Sequence, residues 1–170
     1  MLNSGYVKWL LLVPVLLGII TPAAEAAGPF EQGSFQLSAA VGAGTAFSHD
    51  YLVLGIGGGY YVLDGLLLGA RVDWWLGNSP SIYQVTPEAR YVLNMVPKVK
   101  PYVGVYYSRT FYEGLPDLNA LGVRGGAYIP LGDRVFFGAG LAYEQVLDCD
   151  KSVYRDCSRT YPEFSLMFAF

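Results

Sequence analysis

The sequence predicts an all-β protein: an eight-stranded antiparallel up-and-down transmembrane β-barrel that enters a bilayer by its strands. Three observations predict it. The chain opens on an export leader, eight segments alternate apolar with small or polar residues, and charge is sorted onto one face of those segments.

The leader comes first. Lys8 supplies an early positive charge, Trp9 to Ile20 is an unbroken apolar run, and Ala24-Glu25-Ala26 places small residues where a signal peptidase reads them. The run is about a dozen residues, short of the roughly 20 that a spanning helix needs. Residues 1–26 are therefore read as a signal peptide, and residues 27–170 as one barrel domain.

Charged residues make up only 15% of the 170, against roughly 25% in ordinary soluble domains. No second long apolar segment follows the leader, so the hydrophobicity is spread over short strands. The net charge is −3 and there is no basic patch, which argues against a nucleic-acid partner.

The strands follow in order, each with alternate side chains directed to lipid and to the lumen. The first, about Ser34 to Gly44, sets Phe35, Leu37, Ala39 and Val41 against Ser34, Gln36, Ser38 and Gly42. The second, Tyr51 to Val62, turns Leu52, Leu54, Ile56 and Tyr60 outward and Gly55, Gly57 and Gly59 inward. Asp64-Gly65 makes a tight turn into the third, Leu66 to Leu76, with Leu68, Ala70, Val72 and Trp74 outward and Arg71, Asp73 and Trp75 inward. The fourth, Ile82 to Leu93, faces Tyr83, Val85 and Tyr91 outward and Gln84, Thr86, Glu88 and Arg90 inward. The fifth, Pro101 to Phe111, alternates Val103, Val105 and Tyr107 with Tyr102, Tyr106 and Ser108. In the sixth, Asn119 to Ile129, Leu121, Val123 and Ala127 oppose Gly122, Arg124 and Tyr128; in the seventh, Val135 to Gln145, Phe137, Leu141 and Tyr143 oppose Gly138, Ala142 and Glu144. The eighth, Tyr161 to Phe170, opposes Phe164, Leu166, Phe168 and Phe170 to Tyr161, Glu163 and Met167.

Two properties of these faces support a membrane over a soluble barrel. Outward Trp74, Tyr83, Tyr107 and Tyr143 collect at one set of strand ends, and Phe35, Tyr60, Tyr91, Phe168 and Phe170 at the other, as interfacial girdles require. Arg71, Asp73, Glu88, Arg90, Arg124, Glu144 and Glu163 all fall on lumen faces, and Arg109 is the outward exception, at a strand end. An even strand count returns both ends of the chain to one side. With mature termini in the periplasm, Gly44 to Asp50, Gly77 to Ser81, Tyr112 to Leu118 and Val146 to Thr160 become external loops.

On these features the chain resembles the small outer-membrane barrel superfamily that includes the OmpA transmembrane domain and OmpX. The likeness spans roughly Gln32 to Phe170 and is most specific in Tyr161-Pro162-Glu163-Phe164-Ser165-Leu166-Met167-Phe168-Ala169-Phe170. Phe164, Leu166, Phe168 and Phe170 are similar to the signal read by the barrel-assembly machinery. Pro101-Tyr102-Val103-Gly104-Val105 is similar to a strand opening frequent in the family. The resemblance implies the outer membrane and cell envelope of a Gram-negative bacterium, with outer-membrane lipid, lipopolysaccharide and the assembly machinery as partners. It implies location more than activity.

Candidate chemistry is sparse. Cys149 and Cys157 in an exported chain predict a disulfide, and the pattern calls for no cofactor or metal. The lumen charges, three arginines against four acids, predict a network of ion pairs filling a narrow interior, since an ionised group there must be paired. The expected role is structural or binding, without catalysis and with a closed lumen. The alternatives are a small pore or carrier for apolar solutes, and an outer-leaflet lipid-modifying enzyme using His49, beside Ser48 and Asp50, with Ser79 or Ser81 from the next loop.

Overall fold

The computed structural model describes residues 28–46, 49–77, 81–94, 98–114, 116–147, 149 and 157–170, with the side chains of 43–46 and 49–50 outside that set. The proposed leader and its cleavage site also lie outside the described residues. The strands are β1 (Phe35–Ala46), β2 (His49–Leu63), β3 (Leu66–Leu76), β4 (Ile82–Val92), β5 (Lys100–Tyr112), β6 (Leu118–Pro130), β7 (Val135–Val146) and β8 (Ser158–Ala169). They close in sequence order into one antiparallel barrel with no helix among the described residues.

Closure is made at the C-terminus. Phe35 N–H donates to the Phe170 carbonyl at 2.9 Å and Phe170 N–H to the Phe35 carbonyl at 2.8 Å, and the β1–β8 pairing continues from Gln36↔Ala169 to Val41↔Phe164. The connections β2–β3, β4–β5 and β6–β7, with residues 28–34 and Phe170, lie at one end of the barrel, called here the turn end. The connections β1–β2, β3–β4, β5–β6 and β7–β8 lie at the other, the loop end.

The period of two survives along the strands. Val103, Val105 and Leu141 stand about 60% exposed on the outside, whereas Tyr61, Tyr128 and Glu144 inside are at most 1% exposed. The surface is thus apolar and the interior polar, the inverse of a soluble barrel and the arrangement of a membrane barrel. Trp74 pairs across to Tyr83, which stacks on Phe111 with ring centroids 4.8 Å apart, while Phe35 pairs with Tyr60 at the turn end.

Several boundaries differ from the sequence reading. Strands β1 and β2 run on through the expected first loop, so that Ala46 pairs with His49. Strand β8 begins at Ser158 and draws Arg159 and Thr160 out of the expected last loop. Asp64-Gly65 turns with positive φ at Gly65 alone, 78°, and the register slips by one residue between Tyr61 and Leu63. That bulge provides the twist that two left-handed residues would otherwise supply.

The segment before β1 also folds. Phe30 takes a φ of 74° and turns its ring up into the barrel, where it is 1% exposed against Tyr61, Tyr128 and Phe136. Its carbonyl accepts from Gly65 N–H at 2.7 Å and from the Asn94 amide at 3.4 Å, and Gly33 N–H donates to the Tyr61 carbonyl. A strained backbone so tightly tied is a stopper over the turn end.

Candidate functional site in the barrel lumen

Every lumen charge expected from the sequence is brought into an ion pair. Spacing of two along one strand puts Arg71 beside Asp73 (Nε to Oδ2, 2.9 Å) and Arg90 beside Glu88 (Nη2 to Oε1, 2.7 Å). Contacts across the barrel join these pairs. Arg71 reaches Glu163 on β8 at 3.0 Å, and Arg124 on β6 lies 3.1 Å from Glu88 and 3.5 Å from Glu163. The chain of pairs is continuous from Asp73 to Arg90, and it crosses the lumen.

Arg159, read from the sequence as a loop residue, completes the charge balance. Its guanidinium holds the Glu144 carboxylate at 2.6 Å, and Ser108 donates to the other oxygen at 3.2 Å. Four arginines now face four acids among the described residues, where three against four had been counted. The signal for Arg159 was the inward period itself, since it stands two residues before Tyr161 and four before Glu163.

Aromatic rings pack between the charges. Arg124 lies over Tyr106 at 4.3 Å and Arg90 over Tyr102 at 5.1 Å, and Arg90 also donates to the Tyr128 hydroxyl. Tyr61 donates to Gln36 at 2.8 Å. Glycine makes this filling possible: a Cβ at Gly122 would overlap the Tyr106 ring, and one at Gly55 the Asp73 carboxylate. Below this layer come Phe30, Met167 and Phe136, all buried.

Toward the loop end, Tyr51, Trp75 and Ile82 of β2, β3 and β4 cluster along one wall, with Arg159 over Trp75 at 5.4 Å. Outside, Arg109 pairs with Asp117 at 2.8 Å and stays exposed. Cys149 and Cys157 are bonded, with Cα atoms 5.6 Å apart, in the connection from β7 to β8. Of the residues considered for lipid chemistry, Ser48 and Ser79 lie outside the described residues, as do the side chains of His49 and Asp50, and Ser81 stands exposed before β4. Among the described residues no group of acids, histidines and cysteines could hold a metal.

An inward ion-paired lumen within an outward apolar wall defines the class of small eight-stranded transmembrane barrels. Solved structures of that class share the fold. The N-terminal β-barrel domain of Pseudomonas aeruginosa OprF superposes with a TM-score of 0.66 at 15% identity, over 82% of this chain and 98% of that one. Neisserial surface protein A gives 0.56 at 19% identity, over 81% and 96%. A de novo designed transmembrane β-barrel gives 0.59 at 13% identity, over 84% and 99%. No protein-family model matches the sequence, and no curated protein matches it. The fold is that of the small barrels of the OmpA and OmpX type. Because a designed barrel shares it, the fold alone carries no activity.

Proposed function

We propose that the protein is an integral outer-membrane barrel with a structural or binding role and no catalysis, its lumen closed to steady ion flow. The leader exports it, both mature termini stand in the periplasm, the turn end faces the periplasm, and the Cys149–Cys157 loop stands outside the cell. Outer-membrane lipid and lipopolysaccharide surround the wall, and the barrel-assembly machinery reads the terminal strand through Phe164, Leu166, Phe168 and Phe170.

The observation that supports closure is the ion-paired layer, in which Arg71, Glu88, Arg90, Arg124 and Glu163 meet across the lumen. Eight strands enclose an interior that side chains can fill, and here the ion-paired layer and the rings of Tyr61, Tyr102 and Tyr128 occupy its middle and turn end. Balanced charge also removes the standing field that would draw one sign of ion inward. Planar-bilayer recording of the purified protein tests this: the expected trace shows little or no steady current, and a large stable single-channel current overturns the reading. For the absence of catalysis, lipid A from cells with and without the protein should give the same mass spectrum.

A further inference from the structure

The barrel wall has a gap at the seam where its ends meet. Phe35 and Phe170 exchange both backbone bonds, so hydrogen-bonded pairs recur at every second residue of the β1–β8 ladder: Leu37 with Phe168, Ala39 with Leu166, Val41 with Phe164. The next such pair would be Ala43 with Pro162, and proline has no N–H to give. Pairing of β1 with β8 ends at Val41↔Phe164. Beyond it, among the described residues, 42–46 pair with β2 and 158–163 with β7. Pro87 interrupts the β4–β5 ladder in the same way, but there pairing resumes at Glu88↔Tyr106.

A cavity of about 240 Å³ is lined from both sides of this gap, by Val41 and Gly42 of β1 and by Pro162, Glu163 and Phe164 of β8. Its inner wall includes Arg71, Asp73, Trp75 and Arg159, and its outer edge is formed by Val41, Pro162 and Phe164. Val41 and Phe164 belong to the apolar outer face. The lining balances Arg71 and Arg159 against Asp73 and Glu163, and both arginines are ion-paired, Arg71 with Asp73 and Glu163 and Arg159 with Glu144. Trp75 Nε1 is a buried donor without an acceptor, and the Arg159 side chain is 35% exposed.

We propose that the gap above Pro162 is a lateral binding site for a single-chain amphiphile with an anionic head group. The head enters the lumen to meet Trp75 Nε1 and Arg159, and the chain leaves between Val41 and Phe164 into the surrounding lipid. A buried donor and a cation then gain an acceptor, and the exposed edge of the two strands gains apolar cover. The inference rests on the reading of the barrel as membrane-embedded and names what that barrel binds.

The test reconstitutes the full chain in phosphatidylcholine vesicles with either a diazirine-bearing stearate or a diazirine-bearing alkane of equal length, and maps the adducts by peptide mass spectrometry. Stearate is expected on Trp75 and Tyr161 as well as on the outer belt at Val103, Val105 and Phe164, the alkane on the belt alone. Trp75→Phe should weaken stearate labelling inside the barrel about tenfold, the effect of one lost charge-assisted hydrogen bond. Pro162→Ala, which restores the missing N–H and lets the seam pair further, should remove that labelling while the belt stays labelled. Belt adducts with none inside overturn the site and leave the membrane reading standing. Equal labelling inside by both probes overturns the head-group recognition, and absence of belt adducts overturns both readings.

Discussion

Glu144 is the most deeply buried lumen acid, 1% exposed, and its charge is met by Arg159 at 2.6 Å and by the Ser108 hydroxyl. Removing one member of a buried pair leaves the other charge uncompensated, and the loss is about 3 to 5 kcal/mol. Arg159→Leu should therefore destabilise the barrel by that order in a urea titration followed in lipid vesicles. Arg159→Leu combined with Glu144→Gln should recover most of the loss, because no unpaired charge remains; a double variant as unstable as the single one would show that Arg159 acts through packing on Trp75. Arg124 behaves differently. It shares Glu88 with Arg90 and Glu163 with Arg71, so each acid keeps a partner when Arg124 is removed. The inward acids were legible residue by residue, since a period of two fixes the facing of every strand position. Arg159 and Phe30 were not. Arg159 sits in a polar stretch where a strand leaving the bilayer and a loop have the same composition, and Phe30 lies in an aperiodic segment whose place is set by tertiary contacts alone.

At the scale of the element, lipid-facing strands were readable because their apolar alternation has no competing explanation, and their ends were not, because the ladder continues past the apolar zone. Strand β2 runs 15 residues, several more than a tilted crossing of roughly 9 to 11 requires. Strand β5 tests the facing directly. Val105 is 58% exposed near the middle of β5, and Val105→Arg should cost about 2 to 4 kcal/mol in folding into vesicles if that position meets hydrocarbon. The same charge at Leu131, in the turn between β6 and β7, should cost about 0 to 1 kcal/mol, and equal costs would refute the assignment of the belt. The connection from β7 to β8 is tied at its base by Val146 N–H and the Gln145 amide, both donating to the Cys157 carbonyl. Closing so short a loop through Cys149 and Cys157 should contribute about 2 to 3 kcal/mol by loop entropy. Reduction should lower the urea midpoint accordingly, and mass mapping that found two free thiols would remove the cause.

On the closed-lumen reading proposed above, the obstructions stand in series along the barrel. The aromatic stopper at Phe30 seals the turn end, the ion-paired layer fills the middle, and the Tyr51, Trp75 and Ile82 cluster covers one wall of the loop end. An ion crossing such a path is limited by its highest barrier, so removing one obstruction while the other stands should change the current little. Phe30→Gly relieves the positive φ and deletes the ring, opening the turn end as far as Glu88 and Arg90. Arg124→Ala loosens the middle and leaves the acids one charge in excess. Each variant alone is expected to stay near the silence of the parent protein in a planar bilayer. The double variant should conduct and prefer cations, because the remaining lumen charge is −1 once Arg124 is gone and four acids face Arg71, Arg90 and Arg159. Conduction by Arg124→Ala alone at the level of the double variant would show that Phe30 bars nothing. A silent double variant would move the principal barrier to the loop end and overturn the two-barrier account.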